Sequence, residues 1–323
     1  MATSEFELIR RYFTHPARHT VLGVGDDAAL MRVKRGHELV VSADMLVAGQ
    51  HFLRDTDPRK LGHKALAVNL SDLAAMGATP RWATLALSLP SADTRWVQNF
   101  ARGFMALARR FDVDLVGGDT TRGPLNICVQ IMGEAPQGKA LRRDRARAGD
   151  DIWVSGTVGD AALGLAALKR RISLKPGERA QCVARLETPT PRVELGLALR
   201  GVAYSAIDIS DGLLADLGHI LERSRLAAEI ELAALPASNV MKRYLDRVVA
   251  CSALLAGGDD YELCFTAPRS ARKRIVHIGQ RVRLRLTRIG SVLPSRAKLP
   301  RLIVRAPDGS ALRVVRGGYD HFG

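Results

Sequence analysis

The chain is poor in what several function classes require. Its four cysteines, Cys128, Cys182, Cys251 and Cys264, are far apart and form no CxxC pair. Spread through 323 residues, they argue against a disulfide scaffold and are expected to be reduced thiols. No apolar run is long enough to cross a bilayer. The most apolar stretch, 65–78, is broken by Asn69, Ser71 and Asp72, which are costly in hydrocarbon. The opening SEFELIRRYF lacks the apolar core of a signal peptide, and its Ser4 and Glu7 have the spacing of a helix capping box. A cytoplasmic protein with no membrane partner is expected. Aromatic residues make up only 5% of the chain, and no basic module interleaved with rings appears.

Acid is also in deficit, with 33 Asp and Glu against 48 Lys and Arg, a net charge of +15. Such a surplus suits nucleic acid, an acidic membrane or small anions alike. The basic residues are dispersed through both halves, so no specific nucleic-acid partner is expected. What is present is 47% hydrophobic and 25% charged residues. That is the composition of a soluble globular protein with an aliphatic core, at a length that suits two domains.

Aliphatic runs at 39–44, 82–89, 112–118 and 125–133 alternate with helix-like stretches, a mixed α/β order. A polar cap at Asp57, Pro58 at the first helical position and Gly77 just past the end predict a helix over 57–76. On it Asn69 and Asp72, three apart, share a face. The basic run at 139–151 interrupts the pattern and sets an expected boundary between an N-terminal domain, 1–148, and a C-terminal α/β domain, 149–323. In the second half strands are expected at 151–156, 205–210 and 229–232. Helices are expected near 158–170, 191–200, 212–225 and 269–280, before a strand-rich tail.

Two phosphate-loop lookalikes fail on chemistry. GEAPQGKA (133–140) has the G-x-x-x-x-G-K spacing, but Ala140 stands where a Ser or Thr must reach magnesium. GVGDDA (23–28) has the outline of a dinucleotide turn, yet Asp26 and Asp27 repel a pyrophosphate unless metals intervene. That exception points to a wider pattern. Aspartates recur beside glycine or at the ends of aliphatic runs: Asp26, Asp27, Asp44, Asp72, Asp119, Asp208, Asp211, Asp259 and Asp260. Each alone reads as a turn former or helix cap. As a set they do not, because turn chemistry has no use for DD and DxxD pairs, and clustered carboxylates repel without bridging cations. Oxygen donors without His or Cys sets favour Mg²⁺ over zinc or copper. A multi-magnesium site for a polyphosphate, at strand ends, is expected.

Taken in order, GVGDDAAL, SADMLVAGQHF, NLSDLAAMGATP, GGDTTRGP, SAIDISDGLLADL, GGDDYELCF and GYDHF closely resemble the thiamine-monophosphate kinase family, in the aminoimidazole-ribonucleotide-synthetase-like (PurM-like) superfamily. The resemblance runs from about Glu5 to Phe322. It implies a mixed α/β (α+β) fold of two domains and a homodimer that pairs through its N-terminal sheets. It also implies ATP-dependent phosphorylation of thiamine monophosphate to thiamine diphosphate, by direct in-line transfer among several Mg²⁺ ions. Donor and acceptor are both anions, so cations are needed to neutralise their repulsion.

Position by position, the resemblance implies metal ligands at Asp27, Ser42, Asp44, Asp72, Asp119, Asp208 and Asp211. The resemblance also implies that Asp72 bridges more than one ion, with Asp72 and Asp119 the most critical. Ala43 offers only backbone oxygen. ATP contacts are implied at Gly118, Asp119, Arg143 and Ser210, and substrate contacts at His51, Asp259 and Arg316. No acid or base is assigned, because the acceptor phosphate is already ionised at neutral pH; His51 positions substrate. Two positions depart from the family pattern. Asp259 stands where GGEDYE has a glutamate, and Arg316 where an aromatic ring commonly stacks on the thiamine pyrimidine. A selenophosphate synthetase fits poorly, since no cysteine precedes Cys128. The alternative is another ATP-using synthetase of the superfamily acting on a different phosphorylated acceptor, against which GQHF and GYDHF weigh.

Overall fold

A computed structural model of the chain describes residues 5–295, 302–312 and 318. Ser4, Arg316 and most of the GYDHF motif lie outside these described residues. Contacts divide the chain into two compact units, Met1–Leu73 with Ala78–Gly138, and Ala74–Gly77 with Lys139–Gly323.

The first unit begins with a short helix, α1 (Glu5–Leu8), and a pair of antiparallel strands, β1 (Thr20–Leu22) and β2 (Leu30–Met31). Then come β3 (His37–Val47), α2 (Pro58–Ala75), β4 (Thr79–Leu89), α3 (Thr94–Arg110), β5 (Asp114–Arg122) and β6 (Asn126–Pro136). The last four strands form one sheet in the order β3-β6-β4-β5, in which only β4 and β5, joined through α3, run parallel. Helix starts are set by side chains. Asp57 Oδ1 accepts the Arg59 and Lys60 amides ahead of α2, and Asp93 Oδ1 accepts those of Arg95 and Trp96 ahead of α3, satisfying otherwise orphaned donors. The two helices cross backbone to backbone: a β-carbon on Gly62 would lie 2.0 Å from the Phe100 carbonyl oxygen, and one on Gly103 1.8 Å from that of Arg59.

The second unit contains β7 (Asp151–Ser155), α4 (Asp160–Leu168), α5 (Pro176–Glu187), α6 (Val193–Leu199), β8 (Ser205–Asp208), α7 (Leu213–Ser224) and β9 (Leu226–Glu231). It continues through α8 (Asn239–Lys242), α9 (Val248–Ala256), β10 (Leu263–Ala267), α10 (Arg272–Arg281), β11 (Leu286–Pro294), β12 (Leu302–Arg305) and β13 (Ala311–Leu312). Its sheet order is β13-β12-β9-β11-β7-β10-β8, antiparallel except between β12 and β9. The strands β7 and β10 are buried along their whole length, and Ile152, Val154, Ile207, Leu217, Ile220, Ile230 and Ile289 share one core with them. Cys182 and Cys264 lie in that core as thiols, with burial pushing the Cys182 thiol up to about 12.

The architecture is mixed α/β, as the sequence predicts, but both sheets are largely antiparallel. The placement rule for ligands at the carboxyl ends of parallel strands therefore does not locate the aspartates. Asp44 and Asp119 sit inside β3 and β5, not in turns after them. Among the described residues no helix is long and apolar enough to cross a membrane.

Candidate active site

In the first unit the oxygen-bearing side chains gather where β3 meets α2. The Ser42 hydroxyl donates to Asp72 Oδ2 at 2.5 Å. Two residues on, and so on the same face of the strand, the Asp44 amide donates to Asn69 Oδ1 at 3.2 Å. Asn69, 1% exposed, is oriented by its own Nδ2 bond to the Ala65 carbonyl at 3.0 Å. Asn69 and Asp72 thus share the face of α2 expected of them, and Ser42, Asp44 and Asp72 are brought together.

His51 follows β3 in a tight turn. The Val47 amide donates to His51 Nδ1 at 3.0 Å, so the neutral ring carries its proton on Nε2. Lys64 of α2, only 3% exposed, donates to the His51 carbonyl at 3.3 Å. Gly118 lies on β5 against β4, with φ of +143° and a hypothetical β-carbon 1.9 Å from the Leu85 carbonyl oxygen. A side chain there would require β4 and β5 to shift apart. Asp119 follows it, exposed, in register with Ala86. Asp27 is exposed in a loop after Gly25 and donates its amide to Asp26 Oδ1 at 2.9 Å.

The expected donors fit magnesium by type, since all are hydroxyl or carboxylate oxygens. Among the described residues no three His, Cys, Asp or Glu side chains form a metal cage by themselves. Magnesium commonly takes one or two carboxylates and completes its shell with water and substrate phosphates, so a partial set such as Ser42 and Asp72 is compatible with it.

In the second unit Asp208 ends β8, and Ser210, Asp211 and Gly212 lead into α7. Asp216, one turn into that helix and 2% exposed, turns back on this loop. Its Oδ2 accepts the amides of Ser210, Asp211 and Gly212, each at 3.1 Å. Burial, reinforced by the negative charge of Asp211, pushes the Asp216 carboxyl up to about 7. The positive charge of Arg143 acts in the opposite direction. The Arg143 carbonyl accepts from Ser224 Oγ at the end of α7, at 2.9 Å.

The segment 257–262 lies along the other side of the loop. The Asp259 amide donates to the Ser210 carbonyl and that of Tyr261 to the Ile209 carbonyl, both at 2.8 Å. Gly258 permits this approach, since a β-carbon there would lie 2.3 Å from the Ser210 carbonyl oxygen. Asp259 and Tyr261 take positive φ, +69° and +52°, a conformation stored where surrounding contacts over-determine it. Below them Glu262, fully buried, holds Ser155, Arg185 and Arg192. Asp216, Lys64 and the Glu262 network are absent from the sequence-derived site. The one signal for Asp216 is an acidic residue in the first turn of a helix that follows SDG.

Residues 25–135 match the AIR synthase related protein, N-terminal domain. Over 327 aligned residues the chain is 47% identical to the thiamine-monophosphate kinase of Salmonella typhimurium, covering 100% of this chain and 99% of that one. Among solved structures, the thiamine-monophosphate kinase of Stenotrophomonas maltophilia superposes with a TM-score of 0.86 at 47% identity, covering 97% of this chain and 99% of the other. AaThiL complexed with AMPPCP and TMP superposes with a TM-score of 0.76 at 32% identity, covering 90% and 89%. Identity of this order over nearly the whole length of both chains means that the chain belongs to the thiamine-monophosphate kinase family.

Proposed function

We propose that the chain transfers the γ-phosphoryl group of ATP to the phosphate of thiamine monophosphate, forming thiamine diphosphate and ADP. The observation that carries this is the Ser42, Asp72, Asp44 and Asn69 arrangement within a chain whose family relative AaThiL holds AMPPCP and TMP together. Both reactants are polyanions, and the chemistry magnesium supplies when bound is neutralisation of their charge and of the charge developing in transfer. Asp27, Ser42, Asp44, Asp72 and Asp119 in the first unit, and Asp208 and Asp211 in the second, are the proposed ligands. Ser42 orients Asp72 through its hydroxyl, and Asn69 fixes the backbone from which Asp44 projects.

Gly118, Asp119, Arg143 and Ser210 are the proposed ATP contacts. Ser210 has its amide engaged by Asp216 and its carbonyl by Asp259, which leaves the hydroxyl to meet the nucleotide. His51 is the proposed substrate-positioning residue, and Asp259 and Arg316 complete the thiamine end. Transfer is direct and in line, with no protein group required to take a proton from an acceptor that is already ionised. Leu39, Val41 and Met45, 46%, 48% and 53% exposed along β3, support a homodimer paired through this sheet, since an apolar strand of this kind is commonly covered. The reaction belongs to the cytoplasm, where ATP is held.

Phosphorus-31 NMR of the protein with thiamine monophosphate, ATP and Mg²⁺ tests the reading, with EDTA and free thiamine as controls. Equal amounts of thiamine diphosphate and ADP, formed only with metal and the monophosphate, are expected. ATP hydrolysis without a phosphorylated vitamin would favour the second reading, a different phosphorylated acceptor within the superfamily, to which the Asp259 and Arg316 departures point.

A further inference from the structure

Three consecutive amides that converge on one point make a cradle for an anion. At residues 210–212 the acceptor is supplied by the chain itself: Asp216 Oδ2 takes all three N–H groups at 3.1 Å from a position 2% exposed. These backbone donors are therefore not available to a nucleotide phosphate. The loop is gripped from its other side by the Asp259 and Tyr261 amides, and a β-carbon on Gly212, whose φ is +121°, would lie 2.6 Å from the Ala256 carbonyl carbon. The backbone that carries the Ser210 and Asp211 side chains is thus held on both sides. Gly212, the residue before the first turn of α7, has no capping side chain of its own, and its amide is one of the three that Asp216 accepts.

We propose that Asp216 is the positioning residue of the 210–212 loop, holding the Ser210 hydroxyl and the Asp211 carboxylate in the geometry that receives magnesium nucleotide. It touches neither ligand and acts only through the three amides. The inference rests on the kinase reading for the identity of the ligand, and on the hydrogen bonds alone for the loop.

The test compares the parent protein with Asp216→Asn, which keeps an acceptor oxygen, and with Asp216→Leu and Asp216→Ser, which do not reach the amides. Hydrogen exchange over residues 209–213, calorimetric affinity for AMPPCP with Mg²⁺, and kcat and KM are measured on each. The expected result is that Asp216→Asn stays near the parent. The folded member or members of the other pair should lose exchange protection at 210–212 and bind Mg–AMPPCP about tenfold or more weakly, with KM for thiamine monophosphate little changed. Parent-like affinity and protection in folded Asp216→Leu or Asp216→Ser would overturn the proposal. So would an Asp216→Asn variant as impaired as Asp216→Leu, since charge and not acceptance would then be the requirement. If the parent binds no Mg–AMPPCP while protection still follows the acceptor, the positioning of the loop is supported and the kinase reading alone fails.

Discussion

The Ser42 hydroxyl and Asp72 Oδ2, 2.5 Å apart, tie the middle of β3 to the C-terminal half of α2. Neither residue needs the other for the fold of its own element: the strand is paired along all eleven residues with β6, and the helix is capped at Asp57. Removing the carboxylate charge should therefore spare the fold and damage the chemistry. Asp72→Asn is expected to lower kcat by about a hundredfold or more, and Ser42→Ala by about tenfold, on the scale of ligand and supporting-shell losses at metal sites. Thermal unfolding should stay close to the parent's in both. A folded Asp72→Asn enzyme with near-normal kcat would remove Asp72 from the metal set.

Gly118 is a proposed nucleotide contact. Its φ of +143° and the 1.9 Å approach of a hypothetical β-carbon to the Leu85 carbonyl leave no room for alanine without separating β4 from β5. Gly118→Ala is expected to destabilise by about 2 kcal/mol, the sum of strained backbone and overpacking, and to raise KM for ATP because Asp119 moves with the strand. Urea unfolding together with initial rates against ATP checks both. Unchanged stability would mean that the two strands part easily at this point.

Glu262 has no exposure and accepts from Ser155 Oγ at 2.6 Å, Arg185 Nη2 at 2.6 Å, and Arg192 Nε and Nη2 at 2.7 and 2.5 Å. Breaking a buried ion pair from one side leaves an uncompensated charge. Arg192→Met should destabilise by about 3 kcal/mol, and adding Glu262→Gln should recover part of that loss. Urea midpoints of the two single variants and the double variant give the coupling. Additive losses would show that Arg185 and Ser155 satisfy the carboxylate without Arg192.

How much of this is legible in the sequence depends on the kind of residue. α2 is legible because Asp57, Pro58 and Gly77 mark both ends, and it is found at Pro58–Ala75. α9, with the sequence VVACSALLA, offers no polar face from which to read a period, and α5 is equally absent from the sequence reading. Asp44 reads as the end of an aliphatic run because polar residues there look like a stop. The ladder with β6 continues to Val47 regardless, and Ser42 and Asp44 are accommodated by Asp72 and Asn69 opposite. Asp216 reads as an ordinary acid in a helix's first turn. Its hold on three amides exists only once the loop folds back.

The carboxyl of Asp260 is raised well above the ordinary Asp value, chiefly by burial and further by the nearby Glu262 and Asp160, while the Gly159 amide and Arg185 pull the other way. The folded state therefore binds a proton that the unfolded chain has released. Stability from this group is complete below the ordinary Asp value near 3.8 and is lost as pH rises from there toward the folded value. Asp260→Asn lacks that loss and keeps an oxygen for the Gly159 amide, which Asp260 Oδ2 accepts at 2.6 Å. Urea unfolding at a series of pH values should show the variant gaining on the parent as pH increases. A gap that is flat with pH would mean that Asp260 titrates in the folded protein as it does in the unfolded chain.

Asp259 sits at φ of +69° with its amide on the Ser210 carbonyl. Aspartate tolerates this left-handed backbone better than most residues, whereas glutamate gives a longer reach. Asp259→Asn keeps both the length and the backbone tolerance and removes only the charge. If the carboxylate meets thiamine monophosphate, loss of a charge-assisted hydrogen bond should raise KM for that substrate by about tenfold, with kcat, KM for ATP and thermal stability nearly constant. Asp259→Glu separates reach from strain: a lower KM with slightly lower stability would mean that the shorter side chain trades substrate contact for an easier backbone. If neither variant moves KM, the recognition role passes from this position to His51 and the C-terminal residues.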